Sequence, residues 1–157
     1  MTWLGVDLGE ARVGISLSDP ELTLAHPVGN IDVWGDSFRA IDEVVEIAVT
    51  NEVSCIVVGL PLMLDGSEGK SARKARRWAR NLTKRLAAPP ESAAIRPDRV
   101  PDVVLVDERL TTVTAHRQLF QAQIRSRGHR PLVDQQSAVM ILQSALNRHN
   151  HAGAMDA

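Results

Sequence analysis

Residues 3–17 read Trp3-Leu4-Gly5-Val6-Asp7-Leu8-Gly9-Glu10-Ala11-Arg12-Val13-Gly14-Ile15-Ser16-Leu17. Leu4, Val6 and Leu8 alternate with Trp3, Gly5 and Asp7, the period of two that side chains follow along a strand. Gly9-Glu10-Ala11 offers a tight turn, and Arg12 to Leu17 alternates again, so the stretch is expected to be a β-hairpin. A third strand is expected around Leu24 to Ile31. The period then lengthens. Phe38, Ile41, Val44, Val45, Ala48 and Val49 fall at helical spacing, with Asp36 or Ser37 able to cap the helix. The run Cys55-Ile56-Val57-Val58-Gly59-Leu60 is short, β-branched and apolar on both faces, as in a parallel strand buried between layers.

Downstream, Ala72, Ala75, Trp78, Ala79, Leu82 and Leu86 make the apolar stripe of a second helix over about Ser71 to Leu86. Basic residues cover much of its remaining surface. Ala87 to Pro101 is expected to be a long irregular loop. Val103 to Val106 is another buried strand, ending at Asp107-Glu108. A third helix is expected from Thr111 or Thr112 to about Gln123, then a basic loop over Ile124 to Leu132. Asp134 is expected to open the last helix, whose inward residues are Ala138, Val139, Ile141, Leu142, Ala145 and Leu146, with order fraying from about Asn147. The element order β-β-β-α-β-α-β-α-α describes a mixed five-stranded α/β sheet with helices packed on it. In parallel crossovers of this kind functional groups gather at the carboxyl ends of the strands.

The chain has 157 residues, the size of one ordinary domain. Its 44% apolar content suffices for a core. No apolar run reaches the roughly 18 residues of a membrane span, and MTWLGVDLG lacks the marks of a secretory leader. The single cysteine, Cys55, excludes an internal disulfide framework and a cysteine-based zinc cluster. A cytoplasmic globular protein with no membrane partner is expected. The formal net charge is −1, but residues 1–68 carry two Arg against twelve Asp and Glu, and residues 69–130 carry fifteen Lys and Arg against five acids. Charge of −10 is thus cancelled by +10. Fifteen of the eighteen basic residues are Arg, the better residue for planar contact with phosphate.

Three carboxylates stand out. Asp7 lies inside an apolar strand, where an isolated carboxylate is costly to bury; a hydrogen bond to the Gly9 turn is the alternative to a ligand role. Glu108 ends its strand on the face of Val104 and Val106, and solvation or pairing with Arg109 would also explain it. Asp134 is a favoured helix cap, a role that leaves one carboxylate oxygen available. Together the three can converge at one end of the sheet. Clustered carboxylates repel unless a cation joins them, and an all-oxygen ligand set selects a hard ion, Mg²⁺ or Mn²⁺. Carboxylates beside an Arg-rich surface suggest two-metal phosphodiester hydrolysis.

Four stretches resemble the YqgF-like family of the RNase H-like superfamily: GVDLGEARVGISLSD at 5–19, VGLPLMLDGSEG at 58–69, VDERLTT at 106–112 and VDQQSAVMILQ at 133–143. The resemblance implies an RNase H-like fold, a single domain expected over residues 1–148; the tail at 149–157 is expected to be disordered. The resemblance also implies a divalent-metal nuclease with catalytic and metal-binding acids at Asp7, Glu108 and Asp134, and a role in trimming the 5′ end of pre-16S rRNA. Related proteins are described as Holliday-junction resolvase-like. Two departures from the family pattern are a longer 87–101 connection and the polar run Gln135-Gln136-Ser137.

Candidate contacts to a nucleic-acid backbone are Arg12, Ser67, Lys70, Arg109, Arg125, Arg127 and Arg130. Aromatic residues are few, with no Tyr, so affinity is expected to come from phosphate contacts and to fall steeply with salt. The partners expected are structured RNA, such as pre-16S rRNA, or branched DNA, bound by a monomer or weak homodimer. Competing readings are a junction resolvase acting on DNA, a non-catalytic nucleic-acid binding module, and a nucleotide binder built on the Asp7-Leu8-Gly9 hairpin.

Overall fold

The structure, a computed structural model, describes residues 1–91, 93, 95–110 and 130–156, with the side chains of 97, 110, 130–135 and 154–156 outside the description. The expected third helix, with Arg125 and Arg127 beyond it, lies outside the described residues.

The hairpin forms as its alternation requires. β1 (Thr2–Leu8) pairs antiparallel with β2 (Arg12–Ser18), and the turn closes through the Gly9 N–H donating to the Arg12 carbonyl at 2.9 Å. β3 (Ala25–Asp32) continues the meander on the outer side of β2. β4 (Val53–Leu60) and β5 (Asp102–Asp107) are both parallel additions on the other side of β1, giving the order β3-β2-β1-β4-β5. The mixed five-stranded sheet expected from the element order is therefore present.

One face of the sheet carries Leu4, Val6, Val13, Ile15, Ile56 and Val58, which pack against two helices. The first, α1 (Ile41–Thr50), buries Ile41, Val44, Val45 and Ala48; it is preceded by a 3-10 turn at Ser37–Ala40, where the Asp36 carboxylate accepts the Phe38 N–H. The second, α2 (Lys70–Ala87), buries the expected stripe from Ala72 to Leu86. Trp78 of α2 is fully buried and donates its indole N–H to the Ser37 carbonyl at 2.8 Å. That bond satisfies the one polar atom of a large apolar side chain and ties α2 to the start of α1. Within the 87–101 connection Ala93 enters this core and Pro97–Arg99 forms a 3-10 turn.

The opposite face is covered by α3 (Arg130–Asp156), through Ile141, Leu142 and Leu146 against Cys55, Val57 and Val106. Two expectations are corrected here. The helix begins at Arg130, so Asp134 lies one turn inside it and is not its cap, and Pro131 suits a first helical turn. The helix also runs on to Asp156, past Asn147 and through the tail expected to be disordered. Just past Asn147 it is held by side chains: Asn150 donates to the Leu22 carbonyl at 2.9 Å, and the His149 ring lies 4.9 Å from that of Trp3.

The seat of α3 is built from small residues. A Cβ on Gly5 would stand 2.8 Å from the Ala138 carbonyl oxygen and 2.7 Å from Leu142 Cβ. Ser16, beside it on β2, donates its hydroxyl to that same carbonyl at 2.8 Å. The helix thus rests on β1 and β2 at a distance only glycine permits. Gly5→Ala must push α3 off the sheet, because backbone cannot yield as a side-chain tip can. A loss of about 1–3 kcal/mol in chemical denaturation is expected, with α2 and its Trp78 contact unaffected.

Candidate active site

The ladder places the first two carboxylates. Val6 pairs with Val58 and Gly59 pairs with Val106, so Asp7 stands level with Gly59, one strand away. Strands lie about 4.8 Å apart, which puts the β1 and β5 backbones roughly 10 Å apart with Gly59 between them. Asp7 shares the α3 face of β1 with Gly5. Glu108 follows the end of β5 and opens a 3-10 turn, Glu108–Leu110. Its carboxylate turns back across β4: a Cβ on Gly59 would meet Glu108 Oε1 at 2.6 Å and Ile141 Cδ1 at 2.5 Å. Both acids are buried, each with 3% exposure. Two carboxylates on one face, at the carboxyl ends of β1 and β5, flank a glycine whose missing side chain leaves room for one of them.

Asp134 belongs to the same end of the molecule. α3 runs antiparallel to β1, with Ala138 over Gly5 and His149 against Trp3. One helical turn back from Ala138, about 6 Å, is Asp134; two residues on from Gly5, about 6.6 Å, is Asp7. Its backbone therefore enters the region above the carboxyl end of β1, and its side chain lies outside the described residues. Among the described residues no group of three or more metal-ligating side chains occurs. The oxygen donors that are described, Asp7 and Glu108, suit a hard divalent cation.

The basic candidates divide. Arg12 pairs with Asp32 of β3 at 3.5 Å. It lines a shallow cleft with Trp34, which is 80% exposed. Arg109 turns away from Glu108. It grips Asp107 at 2.9 and 3.2 Å, donates to the Leu64 carbonyl at 3.4 Å and packs under Gly66. That contact docks the Leu62–Ser67 loop, where Ser67 is itself engaged, its hydroxyl and N–H both donating to Asp65 at 2.6 and 2.9 Å. Lys70 opens α2 and faces a cleft that Glu108 also lines. Of Arg130 only the backbone is described, at the start of α3. Two residues were not singled out by the sequence reading: Gly59, whose position in an apolar strand before Leu-Pro signals a close approach, and Lys74, four residues beyond Lys70 on the same helix face.

The hydrogen bonds from Arg109 hold the Asp107 carboxyl below the ordinary carboxylate range, with burial opposing. A depressed folded-state value means that the contact is intact above the unfolded pKa of about 3.9 and is lost only as pH falls through the folded one. Protection of the amides across 63–67, taken relative to the intrinsic exchange rate at each pH, should be high at pH 7, fall only in stronger acid, and be low at pH 7 in Asp107→Asn. Gly59→Ala should destabilise less than Gly5→Ala in denaturation, because both close atoms it meets are side-chain ends. A crystal structure should show the Glu108 carboxylate displaced.

The model of the family described as RuvX: Holliday junction resolvase matches residues 1–148. A protein of Bifidobacterium adolescentis is 66% identical over 148 residues, covering 94% of this chain and 98% of the relative. One from Mycobacteroides abscessus is 46% identical over 154 residues, covering 96% and 84%. Both bear the name "Putative pre-16S rRNA nuclease". Among solved structures, Thermus thermophilus RuvC in complex with a Holliday junction substrate is similar with a TM-score of 0.57 at 13% identity, covering 95% of this chain and 96% of that one. The backbone likeness supports the RNase H-like architecture expected from the resemblance, and with the family model matching nearly the whole chain, this protein belongs to the RuvX family.

Proposed function

We propose that this chain is a divalent-metal nuclease that hydrolyses phosphodiester bonds, trimming the 5′ end of pre-16S rRNA in the bacterial cytoplasm as a monomer or weak homodimer. The observation that carries the reading is the pair of buried carboxylates, Asp7 and Glu108, set on one face on either side of Gly59. The name shared by relatives up to 66% identical supports the RNA substrate.

Asp7 and Glu108 would hold the cation, Mg²⁺ or Mn²⁺ and in this reading two ions, with Asp134 as a third ligand from α3. When bound, such ions lower the pKa of a water and stabilise the leaving oxygen. The rest is the work of the protein. β1 and β5 are central and edge strands of one hydrogen-bonded sheet, so the two carboxylates are fixed relative to each other before substrate arrives. Gly59 keeps the space into which Glu108 turns. Carboxylates gathered on one face repel when ionised, and a cation offsets that repulsion. Arg12, Lys70 and the basic segment holding Arg125, Arg127 and Arg130 would track the backbone of the strand. Arg109 and Ser67 would act chiefly by shaping the rim, since both are engaged within the protein.

The family description favours a second reading, cleavage of a four-way DNA junction by the same acids. The deciding experiment sets a pre-16S 5′ leader RNA beside a four-way junction, each with Mn²⁺ or Mg²⁺ and with chelator. RNA cleavage that needs the metal and falls at least about a hundredfold in Asp7→Asn is expected. Gly59→Ala should also slow it. Full activity of a folded Asp7→Asn protein would remove the carboxylate mechanism, and junction cleavage with intact RNA would choose the second reading.

A further inference from the structure

At the carboxyl edge of the sheet, the β1–β2 turn and the first two turns of α2 enclose a cleft of about 220 Å³. Gly59 and Glu108 line its inner end, Lys70 and Lys74 the wall from α2, and Glu10 the wall from the hairpin. Lys70 and Lys74, four residues apart, lie on one face of the helix, where like charges repel. Neither pairs with a carboxylate among the described residues. The neighbouring arginines do otherwise: Arg76 pairs with Glu68, Arg73 donates to the Glu68 carbonyl at 3.3 Å, and Arg77 lies 5.1 Å over the Phe38 ring. Most basic side chains at this end of α2 are therefore spent on the protein itself, and the two that are not face the cleft containing Glu108.

We infer that this cleft is a phosphate subsite. It takes one backbone phosphate of the nucleic-acid strand, next to the phosphate that is cut, with Lys74 as its main ligand and Lys70 at the mouth. This deepens the reading proposed above and rests on it. An anion between the lysines relieves their repulsion, and Glu10 alone does not balance both; in that reading Glu108 is neutralised by the cation. The size is right for a phosphate with part of its sugar, being below the roughly 300 Å³ at which drug-sized ligands are accommodated. Lysine suits the role, as a compact ammonium meets one phosphate as a point charge where a guanidinium would need a flat approach. Lys74 is half-buried where Arg73, Arg76 and Arg77 are exposed, and it is a positioning residue: it holds the strand while the carboxylates hold the reacting centre.

The test uses the full chain in the Asp7→Asn background, with a labelled pre-16S leader RNA as probe and NaCl as the variable. Lys74→Gln should weaken binding about tenfold at moderate salt and reduce the slope of log K against log salt by about one. Lys74→Arg should restore most of both. Lys84→Gln removes the same charge from the far end of the same helix and should leave the slope unchanged. With Asp7 restored, Lys74→Gln should raise KM more than it lowers kcat. If Lys74→Gln and Lys84→Gln bind with the same slope, the subsite is wrong while the nuclease reading stands. If Asp7→Asn protein binds no RNA, the subsite and the RNA substrate fall together. If wild-type cleavage survives Asp7→Asn while Lys74→Gln still changes the slope, the subsite stands and the carboxylate mechanism fails.

Discussion

The approach of α3 to the sheet governs everything at the functional end. Gly5 admits the Ala138 carbonyl to a distance any side chain would forbid, and Ser16 supplies the hydroxyl that fixes it. A carbonyl with a buried partner is a definite anchor, since losing that partner would leave it unsatisfied. From the anchor the rest follows by geometry. The antiparallel run of α3 takes Ile141 to Gly59, Gln143 to the Ala25 N–H and Asn150 to Leu22. In the other direction it takes the start of the helix, and Asp134, over the carboxyl end of β1. A single glycine-to-helix contact in this way sets where the third acid enters relative to Asp7.

Gly59 does the corresponding work between β1 and β5. Parallel strands separate Asp7 from Glu108 by two strand spacings, too far for both side chains to serve one small centre unless one of them crosses β4. The missing side chain at Gly59 is what allows Glu108 to do so. Two glycines in otherwise apolar strands, each weakening its strand slightly, are used where another element or a functional group must come close.

Charge shows the same economy. The balance of −1 hides an acidic first half and a basic middle, yet much of the basic surface is engaged within the fold. Arg76 binds Glu68, Arg85 binds Asp42, Arg109 binds Asp107, and Arg77 lies 5.1 Å over the Phe38 ring. An arginine count therefore overstates the surface offered to a phosphate backbone. The lysines of the first turns of α2 are fewer, but they stand beside the site and carry no such partner among the described residues.

Local pattern determined most of the architecture. The two-residue alternation of β1 and β2, the buried run of β4, and the helical stripes of α1 and α2 are periodicities that burial imposes on neighbouring residues, so they can be read one segment at a time. Asp7 was legible for the same reason: a carboxylate within an apolar alternation conflicts with its surroundings. The start of α3 was not, because an Asp before an apolar stripe looks like a cap whether or not the helix begins a turn earlier at Arg130. Nor was the end, since His149 and Asn150 are polar and are held by Trp3 and Leu22, well over a hundred residues away in the chain. The pairing of Arg109 with Asp107, the turn of Glu108 over Gly59 and the facing of Lys74 into the cleft are likewise relations between strands and helices. Sequence spacing says which face a residue occupies; only the packing of one element on another decides what that face meets.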